Sequence, residues 1–186
     1  MTHILAFSGS ARKGSYNTAV INAFVKELPA SVTAEVVDFS DIPLYNQDME
    51  AAFPAEVTAL KDKIKAADGI VLSTPEYNRS IPGYFKNMID WTSRPYGDSA
   101  WKGKKVLIMG ASGGNIAAAL AQYDLKKVML YLDAHVLGQP EVYIGGAGAK
   151  FATDAGGWNV TGGLTDEDTR THLKSAGEAL VKALGA

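Results

Sequence analysis

The chain has 186 residues, which suits one domain, residues 1–186, with a sizeable hydrophobic core. Its formal net charge is −2, so we expect neither a nucleic acid nor an anionic membrane as the main partner, because both favour a basic face. It has no cysteine, which excludes disulfides, thiolate metal ligands and cysteine nucleophiles. It shows no signal-peptide pattern and no apolar run near the roughly 20 residues that cross a bilayer, so a cytoplasmic location is expected.

Strand-like apolar runs alternate with helix-like segments along the chain. The predicted strands cover residues 4–7, 34–39, 69–73, 105–109 and 136–144. The predicted helices cover residues 17–28, 55–67, 82–91, 116–132 and 166–184. This alternation predicts an α/β fold, with a doubly wound five-stranded parallel sheet in the order 2-1-3-4-5 and helices on both faces. Ligands bind such sheets where the strand order reverses, so the loops after the first, third and fourth strands are expected to converge.

Two features near the C-terminus complete the predicted architecture. Thr165, with Asp168 three residues further on, resembles a capping box at the start of the last helix. Residues 145–163 are rich in glycine and are predicted to form a long surface loop.

The loop after the first strand (the first loop, residues 9–18) has the composition of a phosphate site. Three hydroxyls, an amide, an arginine and two glycines directly precede a helix, whose N-terminus attracts anions. The loop matches neither the GxGxxG pattern of a dinucleotide site nor the GxxxxGK[ST] pattern of a P-loop, which favours the terminal phosphate of a mononucleotide. The alternative is a polar turn in which Ser15 or Asn17 simply caps the helix.

The loop after the third strand (the second loop, residues 74–83) contains two prolines that restrict the backbone. Tyr77 offers a flat face and Asn78 an amide, which together suit a planar heteroaromatic ring. The alternative is a turn into the next helix, with Pro82 near its N-terminus. Glu76 either shapes this loop by bonding backbone groups or performs acid chemistry, and the shaping role is favoured.

Two further segments extend this pattern. The helix from Pro82 to Trp91 is apolar on more than one side, which indicates either a subunit interface or burial within its own domain. The loop after the fourth strand (the third loop, residues 110–115) consists mainly of small residues, which let backbone N–H groups lie close to a ligand ring.

Two stretches carry a family resemblance. GSARKGSYN at residues 9–17 and TPEYNRSIPGYFKNMIDW at residues 74–91, in this order and separation, resemble the NADPH-dependent FMN reductase family. That family includes quinone, azo and chromate reductases with a flavodoxin-like fold, and the resemblance covers nearly the whole chain.

The resemblance implies that the first loop holds the FMN phosphate and that the second and third loops border the isoalloxazine ring. The implied FMN-binding residues are Ser10, Arg12, Ser15, Tyr16, Asn17, Thr18, Pro75, Glu76, Tyr77, Asn78, Ser112, Gly113 and Gly114. It also implies a homodimer or homotetramer with the helix from Pro82 to Trp91 in the interface. No metal ligand and no catalytic side chain are assigned, because the chemistry takes place on FMN.

The leading hypothesis is a two-step, ping-pong oxidoreductase. NAD(P)H, as either NADPH or NADH, transfers a hydride to bound FMN, and the electrons then pass to a small-molecule acceptor such as a quinone, an azo or nitro compound, chromate or free flavin. One alternative is a non-enzymatic electron carrier of the flavodoxin type, although such carriers are usually more acidic for docking to basic partners. Another is a binding or regulatory protein that uses the same fold without flavin.

Overall fold

The computed structural model describes residues 1–186, in which strands and helices alternate as the sequence predicts. The strands are β1 (Thr2–Ser8), β2 (Val32–Val36), β3 (Gly69–Ser73), β4 (Lys105–Ala111), β5 (His135–Val136), β6 (Val142–Ile144), β7 (Phe151–Thr153) and β8 (Val160–Leu164). The helices are α1 (Tyr16–Lys26), α2 (Ala55–Ala66), α3 (Gly83–Thr92), α4 (Ala119–Tyr131) and α5 (Glu167–Leu184). The main sheet is parallel in the order β2-β1-β3-β4-β5, which confirms the predicted doubly wound topology. None of the helices is long and apolar enough to span a membrane.

The inner strand β1 points side chains into both halves of the core. Successive side chains of a strand point to opposite faces of the sheet, and the four residues from Ile4 to Phe7 are fully buried. Ile4 and Ala6 pack with residues of α1 and α5, whereas Leu5 and Phe7 pack with residues of α2, α3 and α4. Helices therefore cover both faces of the sheet, as predicted.

The parallel register brings the carboxyl ends of β1, β3 and β4 to one edge of the sheet. Ser8 lies opposite Ser73, and Ser73 lies opposite Met109. Just beyond these pairs, the Gly9 N–H donates to the Ser73 carbonyl at 2.8 Å and the Thr74 N–H donates to the Met109 carbonyl at 3.0 Å. The first, second and third loops therefore start side by side.

The prediction of one strand over residues 136–144 is wrong. The segment forms two short strands, β5 and β6, which pair with the beginning and the end of β4 respectively. Pro140 lies between them, and a proline has no N–H to donate to a neighbouring strand and a fixed φ. The chain therefore leaves the sheet and rejoins it.

The fourth helix begins at Ala119 rather than at residue 116. Ala117 and Ala118 have φ values of 57° and 60°, in the left-handed region that L-residues do not adopt within a helix. The third loop is therefore longer than the apolar pattern indicates.

The prediction of a long surface loop over residues 145–163 is also wrong. Residues 147–149 form a 3₁₀ turn, and β7 and β8 form an antiparallel hairpin. Two short β-prone segments on either side of a glycine-containing turn are the pattern of a hairpin, and Phe151 anchors this one in the core.

The last helix is capped one residue later than predicted. The carboxylate of Asp166, not Thr165, accepts a hydrogen bond from the Thr169 N–H at 2.9 Å. Thr165 still belongs to the hairpin, because its N–H donates to the Lys150 carbonyl at 2.9 Å.

The apolar sides of α3 are covered within the chain. Phe85, Met88 and Trp91 are fully buried, and the Tyr84 ring stacks on Phe39 with a centroid distance of 4.5 Å. Burial within its own domain therefore accounts for the apolar pattern of this helix, and a subunit interface along α3 stays a prediction.

Candidate functional site

Asn17 fastens the first turn of α1 to the ends of two strands. Its side chain is 2% exposed. Its Oδ1 accepts from the Ser73 hydroxyl at 2.9 Å and from the Ala111 N–H at 3.0 Å, and its Nδ2 donates to the Ala111 carbonyl at 3.0 Å. The structure therefore places the Asn17 amide, a predicted phosphate ligand, in the scaffold beneath the loops.

The N-terminus of α1 keeps free donors even though it has a side-chain cap. The Ser15 Oγ accepts from the Asn17 N–H at 3.2 Å, so Ser15 is the N-cap. The backbone N–H groups of Ser15, Tyr16 and Thr18 have no hydrogen-bond partner within the protein. Unpaired donors at a helix N-terminus, together with the helix dipole, are suited to an anion.

The hydroxyls of the first loop are held by local contacts. The Thr18 Oγ1 lies 2.8 Å from the Ser8 Oγ. The Ser10 Oγ accepts from the Arg12 N–H at 3.3 Å. These contacts hold both predicted hydroxyl ligands at the carboxyl end of β1.

Arg12 is exposed at the rim of the first loop. Its Nη1 donates to the Asn159 Oδ1 at 2.6 Å and to the Lys13 carbonyl at 3.4 Å, and its Nη2 donates to the Gly14 carbonyl at 3.2 Å. The guanidinium carbon also lies 5.8 Å from the centroid of the Tyr16 ring. A guanidinium has five N–H donors, and here the Nε–H and one Nη2–H have no partner in the protein. Arg12 is thus held in place while two of its N–H groups remain available to an anion.

A basic cavity of about 560 Å³ runs along α1 between the first loop and β8. Its lining includes Arg12, Ser15, Thr18, Lys13, Lys26 and Arg170. Arg170 pairs with Glu27 at 3.1 Å and with Glu167 at 3.0 Å, whereas Lys13 and Lys26 form no ion pair. The cavity therefore has a positive potential although the whole chain carries a net charge of −2.

The second loop ends in a tight turn rather than an open stretch. Tyr77 and Ser80 exchange backbone hydrogen bonds of 3.0 and 3.1 Å, and Asn78 and Arg79 between them have φ values of 51° and 69°. Two left-handed residues in a two-residue turn define type I′, for which asparagine is a favoured first residue. The turn projects the half-exposed Tyr77 ring and leaves the Asn78 and Arg79 N–H groups unpaired at its tip.

Glu76 links the second loop to the start of α4. Its Oε2 accepts from the N–H groups of Leu120 and Ala121 at 3.1 and 3.4 Å, and its Oε1 lies 3.2 Å from the Arg79 Nη1. A carboxylate at the N-terminus of a helix accepts hydrogen bonds from free backbone N–H groups and interacts favourably with the positive end of the helix dipole. These contacts are those of a residue that shapes the loop.

Glu76→Ala is expected to lower the free energy of unfolding by about 1–2 kcal/mol, because α4 loses its only side-chain cap. Urea unfolding followed by circular dichroism measures this loss. Glu178→Ala, which removes an exposed carboxylate from α5, is the control. Equal stability of the two variants would contradict the capping role.

The third loop is open above Gly113. The Ser112 Oγ accepts from the Gly114 N–H at 3.1 Å, and a Cβ added at Gly113 would meet no atom within 4 Å. Ser112, Gly113 and Gly114 line a cavity of about 370 Å³ together with Tyr16 and the exposed Trp158. The structure thus brings part of the first loop and the third loop to one opening.

The predicted residues do not all line these two cavities. The predicted residues that line neither of them are Ser10, Asn17, Pro75, Glu76, Tyr77 and Asn78. Glu76 ties the second loop to the start of α4, just after the third loop.

The β7–β8 hairpin is the part of the site that the sequence analysis missed. Its turn, DAGGWN at residues 154–159, places Asn159 against Arg12 and Trp158 against the third loop. The available signal was the turn-forming composition of this stretch between two short β-prone segments.

The fold and the composition of the loops define the class of protein. A parallel sheet in the order 2-1-3-4-5, with a phosphate-type loop after β1, is the arrangement of flavodoxin-like FMN-binding proteins. The chain belongs to the NADPH-dependent FMN reductase family, which matches residues 2–149. It is therefore an oxidoreductase with FMN as cofactor and NAD(P)H as co-substrate, which confirms the predicted enzyme class and disfavours the electron-carrier alternative.

Relatives and solved structures are similar to this chain over almost its whole length. A 2-hydroxy-1,4-benzoquinone reductase from a Burkholderia species is 41% identical over 90% of this chain and 87% of its own length. A quinone reductase from Escherichia coli K12 is 42% identical over 91% of this chain and 88% of its own length. The flavoenzyme NAD(P)H:(acceptor) oxidoreductase FerB from Paracoccus denitrificans superposes with a TM-score of 0.87 at 37% identity, covering 100% of this chain and 98% of FerB.

Proposed function

We propose that this oxidoreductase passes electrons from NAD(P)H to quinones, or to chemically related small acceptors, by a ping-pong mechanism. The names of its relatives support a quinone as acceptor. The open third loop supports it too, because a flat acceptor needs direct access to a flat cofactor. In a ping-pong mechanism the nicotinamide leaves before the acceptor enters, so one opening serves both.

The chain's own residues fit FMN. The unpaired N–H groups at the start of α1, with Arg12 and the basic cavity beside it, supply the donors and the positive potential that a phosphate dianion needs. This donor set is the observation that carries the assignment of FMN to this site. Bound FMN would supply the two-electron redox chemistry, while the protein orients it and controls access.

The two ends of the cofactor are assigned to different loops. In this proposal the Ser10, Arg12, Ser15 and Thr18 side chains and the backbone at residues 15–18 hold the phosphate. The second loop, residues 75–78, and Ser112, Gly113 and Gly114 border the ring. Tyr16 lies between these two groups, since it belongs to the first loop and also lines the third-loop cavity.

A flavin titration followed by a steady-state assay tests the proposed function. Purified protein is expected to bind FMN stoichiometrically and then to oxidise NADPH or NADH with a benzoquinone, without any added reductase. Initial rates with both substrates varied should give parallel double-reciprocal lines. Failure to bind FMN, or quinone reduction only when another reductase is added, would overturn the proposal.

We also propose a homodimer or homotetramer whose interface includes α3 and α4. Leu130 and Tyr131 on α4 are 77% and 81% exposed, and a groove of about 720 Å³ separates α3 from α4. Large exposed apolar side chains beside a groove are typical of a contact surface. Leu130→Asp with Tyr131→Asp is expected to reduce the mass measured by light scattering to that of one chain. A single-chain mass for the unsubstituted protein would refute it.

The dependence on NAD(P)H supports a cytoplasmic location. Fractionation of cells that produce the protein, with activity measured in each fraction, tests this location.

A further inference from the structure

The β7–β8 hairpin closes on the first loop. Three hydrogen bonds join them: the Val160 N–H to the Gly14 carbonyl at 2.9 Å, the Arg12 Nη1 to the Asn159 Oδ1 at 2.6 Å, and the Tyr16 hydroxyl to the Gly157 carbonyl. These bonds join the hairpin directly to the proposed phosphate loop.

The close approach of the two segments requires a glycine in the first loop. Gly14 has a φ of +67°, and a Cβ built on it would lie 3.0 Å from the Asn159 Cβ and 3.2 Å from the Val160 nitrogen. A side chain at this position would push the hairpin away from the loop. The absence of a side chain at Gly14 thus lets Asn159 pack against the first loop.

Asp154 orients the amide of Asn159. Its Oδ2 accepts from the Asn159 Nδ2 at 2.6 Å, and its Oδ1 accepts from the backbone N–H groups of Trp158 and Asn159 at 3.0 and 3.3 Å. The hydrogen bond from the Asn159 amide, aided by those from the two backbone groups, holds the pKa of Asp154 below its usual value. A carboxylate needs a donor and a guanidinium needs an acceptor, so only one orientation of the amide satisfies both neighbours, with Oδ1 facing Arg12.

We propose that Asn159 and Asp154 are positioning residues for Arg12, which they hold over the first loop so that its free N–H donors meet the FMN phosphate. Asn159 contacts the arginine and Asp154 acts through Asn159. This inference rests on the proposed function, because it assigns the phosphate to Arg12.

Holding the arginine in advance strengthens binding for a simple reason. An unrestrained arginine side chain has many rotamers, and fixing it when the ligand arrives opposes association. Here the Asn159 Oδ1, the Gly14 carbonyl and the Tyr16 ring restrain the guanidinium before any ligand is bound. The Nε–H and one Nη2–H remain free for phosphate oxygens.

Comparison of FMN with riboflavin, which has the same ring and no phosphate, tests the inference. Asn159→Ala is expected to raise the dissociation constant for FMN by about 3- to 10-fold, the equivalent of one ordinary hydrogen bond, and to leave that for riboflavin unchanged. In the Arg12→Ala background the same substitution should have no further effect, because the residue through which it acts is gone. Quenching of flavin fluorescence measures each constant.

Two further variants distinguish the loss of Arg12 positioning from a general unfolding of the hairpin. Asp154→Asn keeps an acceptor for the backbone N–H groups of the turn while it removes the charge that orients Asn159, so it should also weaken FMN selectively. Thr165→Ala, just after β8 and without a side-chain hydrogen bond, should change neither dissociation constant.

Three results would overturn the inference: unchanged FMN affinity in Asn159→Ala, equal losses for FMN and riboflavin, or the same loss with and without Arg12. If the unsubstituted protein does not bind FMN at all, the proposed function itself fails. If FMN binds and Arg12→Ala weakens it while Asn159→Ala does not, only the positioning role fails.

Discussion

Arg12→Ala is expected to raise the dissociation constant for FMN by about 10- to 100-fold, the usual effect of losing one or two hydrogen bonds to a charged group. Arg12 lines the basic cavity and has two unpaired N–H donors. The affinity for riboflavin should not change, because riboflavin lacks the group that Arg12 contacts. Fluorescence titration with both flavins measures the two constants.

The matched control is Lys174→Ala, which changes the net charge equally on the exposed side of α5. It should leave both flavin affinities unchanged. Arg12→Lys should fall between the alanine variant and the unsubstituted protein, since an ammonium keeps the charge but not the planar fork. Unchanged FMN affinity in Arg12→Ala would remove Arg12 from the phosphate site.

Asn17→Ala is expected to lower the free energy of unfolding by roughly 3–4 kcal/mol, because three buried polar groups lose their partner at once. These groups are the Ser73 hydroxyl and the N–H and carbonyl of Ala111, in residues that are 0% and 2% exposed. Urea unfolding followed by circular dichroism gives the difference.

Asn22→Ala on the same helix is the control for Asn17. Asn22 is exposed and makes no side-chain hydrogen bond, so its replacement should change stability by no more than about 0.5 kcal/mol. If Asn17 were a phosphate ligand and not a scaffold residue, its replacement would weaken FMN binding with little loss of stability. That pattern would contradict the structural role.

Asn17 has a structural role that no local sequence pattern predicts. The first loop was recognisable because hydroxyls, an amide and an arginine precede a helix, and that composition indicates phosphate binding without any tertiary information. The same composition does not say which polar side chains face outward. Asn17 faces inward because the parallel register brings Ser73 and Ala111 within its reach.

The role of Glu76 in the second loop also depends on residues that are distant in the sequence. Its shaping role was the favoured interpretation, but its partners, the N–H groups of Leu120 and Ala121, lie 44 and 45 residues away. The late start of α4 places those N–H groups at the helix terminus. No local pattern around Glu76 indicates this.

By itself the sequence determined the class of fold, the order of the strands and the three loops that meet at the sheet edge. These follow from local properties: apolar periodicity, alternation of strands and helices, and turn-forming residues at strand ends. Tertiary structure decided what each polar group in those loops contacts. The β7–β8 hairpin reaches Arg12 across 147 positions of sequence, and only the folded chain brings such distant groups to hydrogen-bonding distance. The composition of the first loop thus predicts a phosphate site, while the geometry of that loop depends on hydrogen bonds from a hairpin near the other end of the chain.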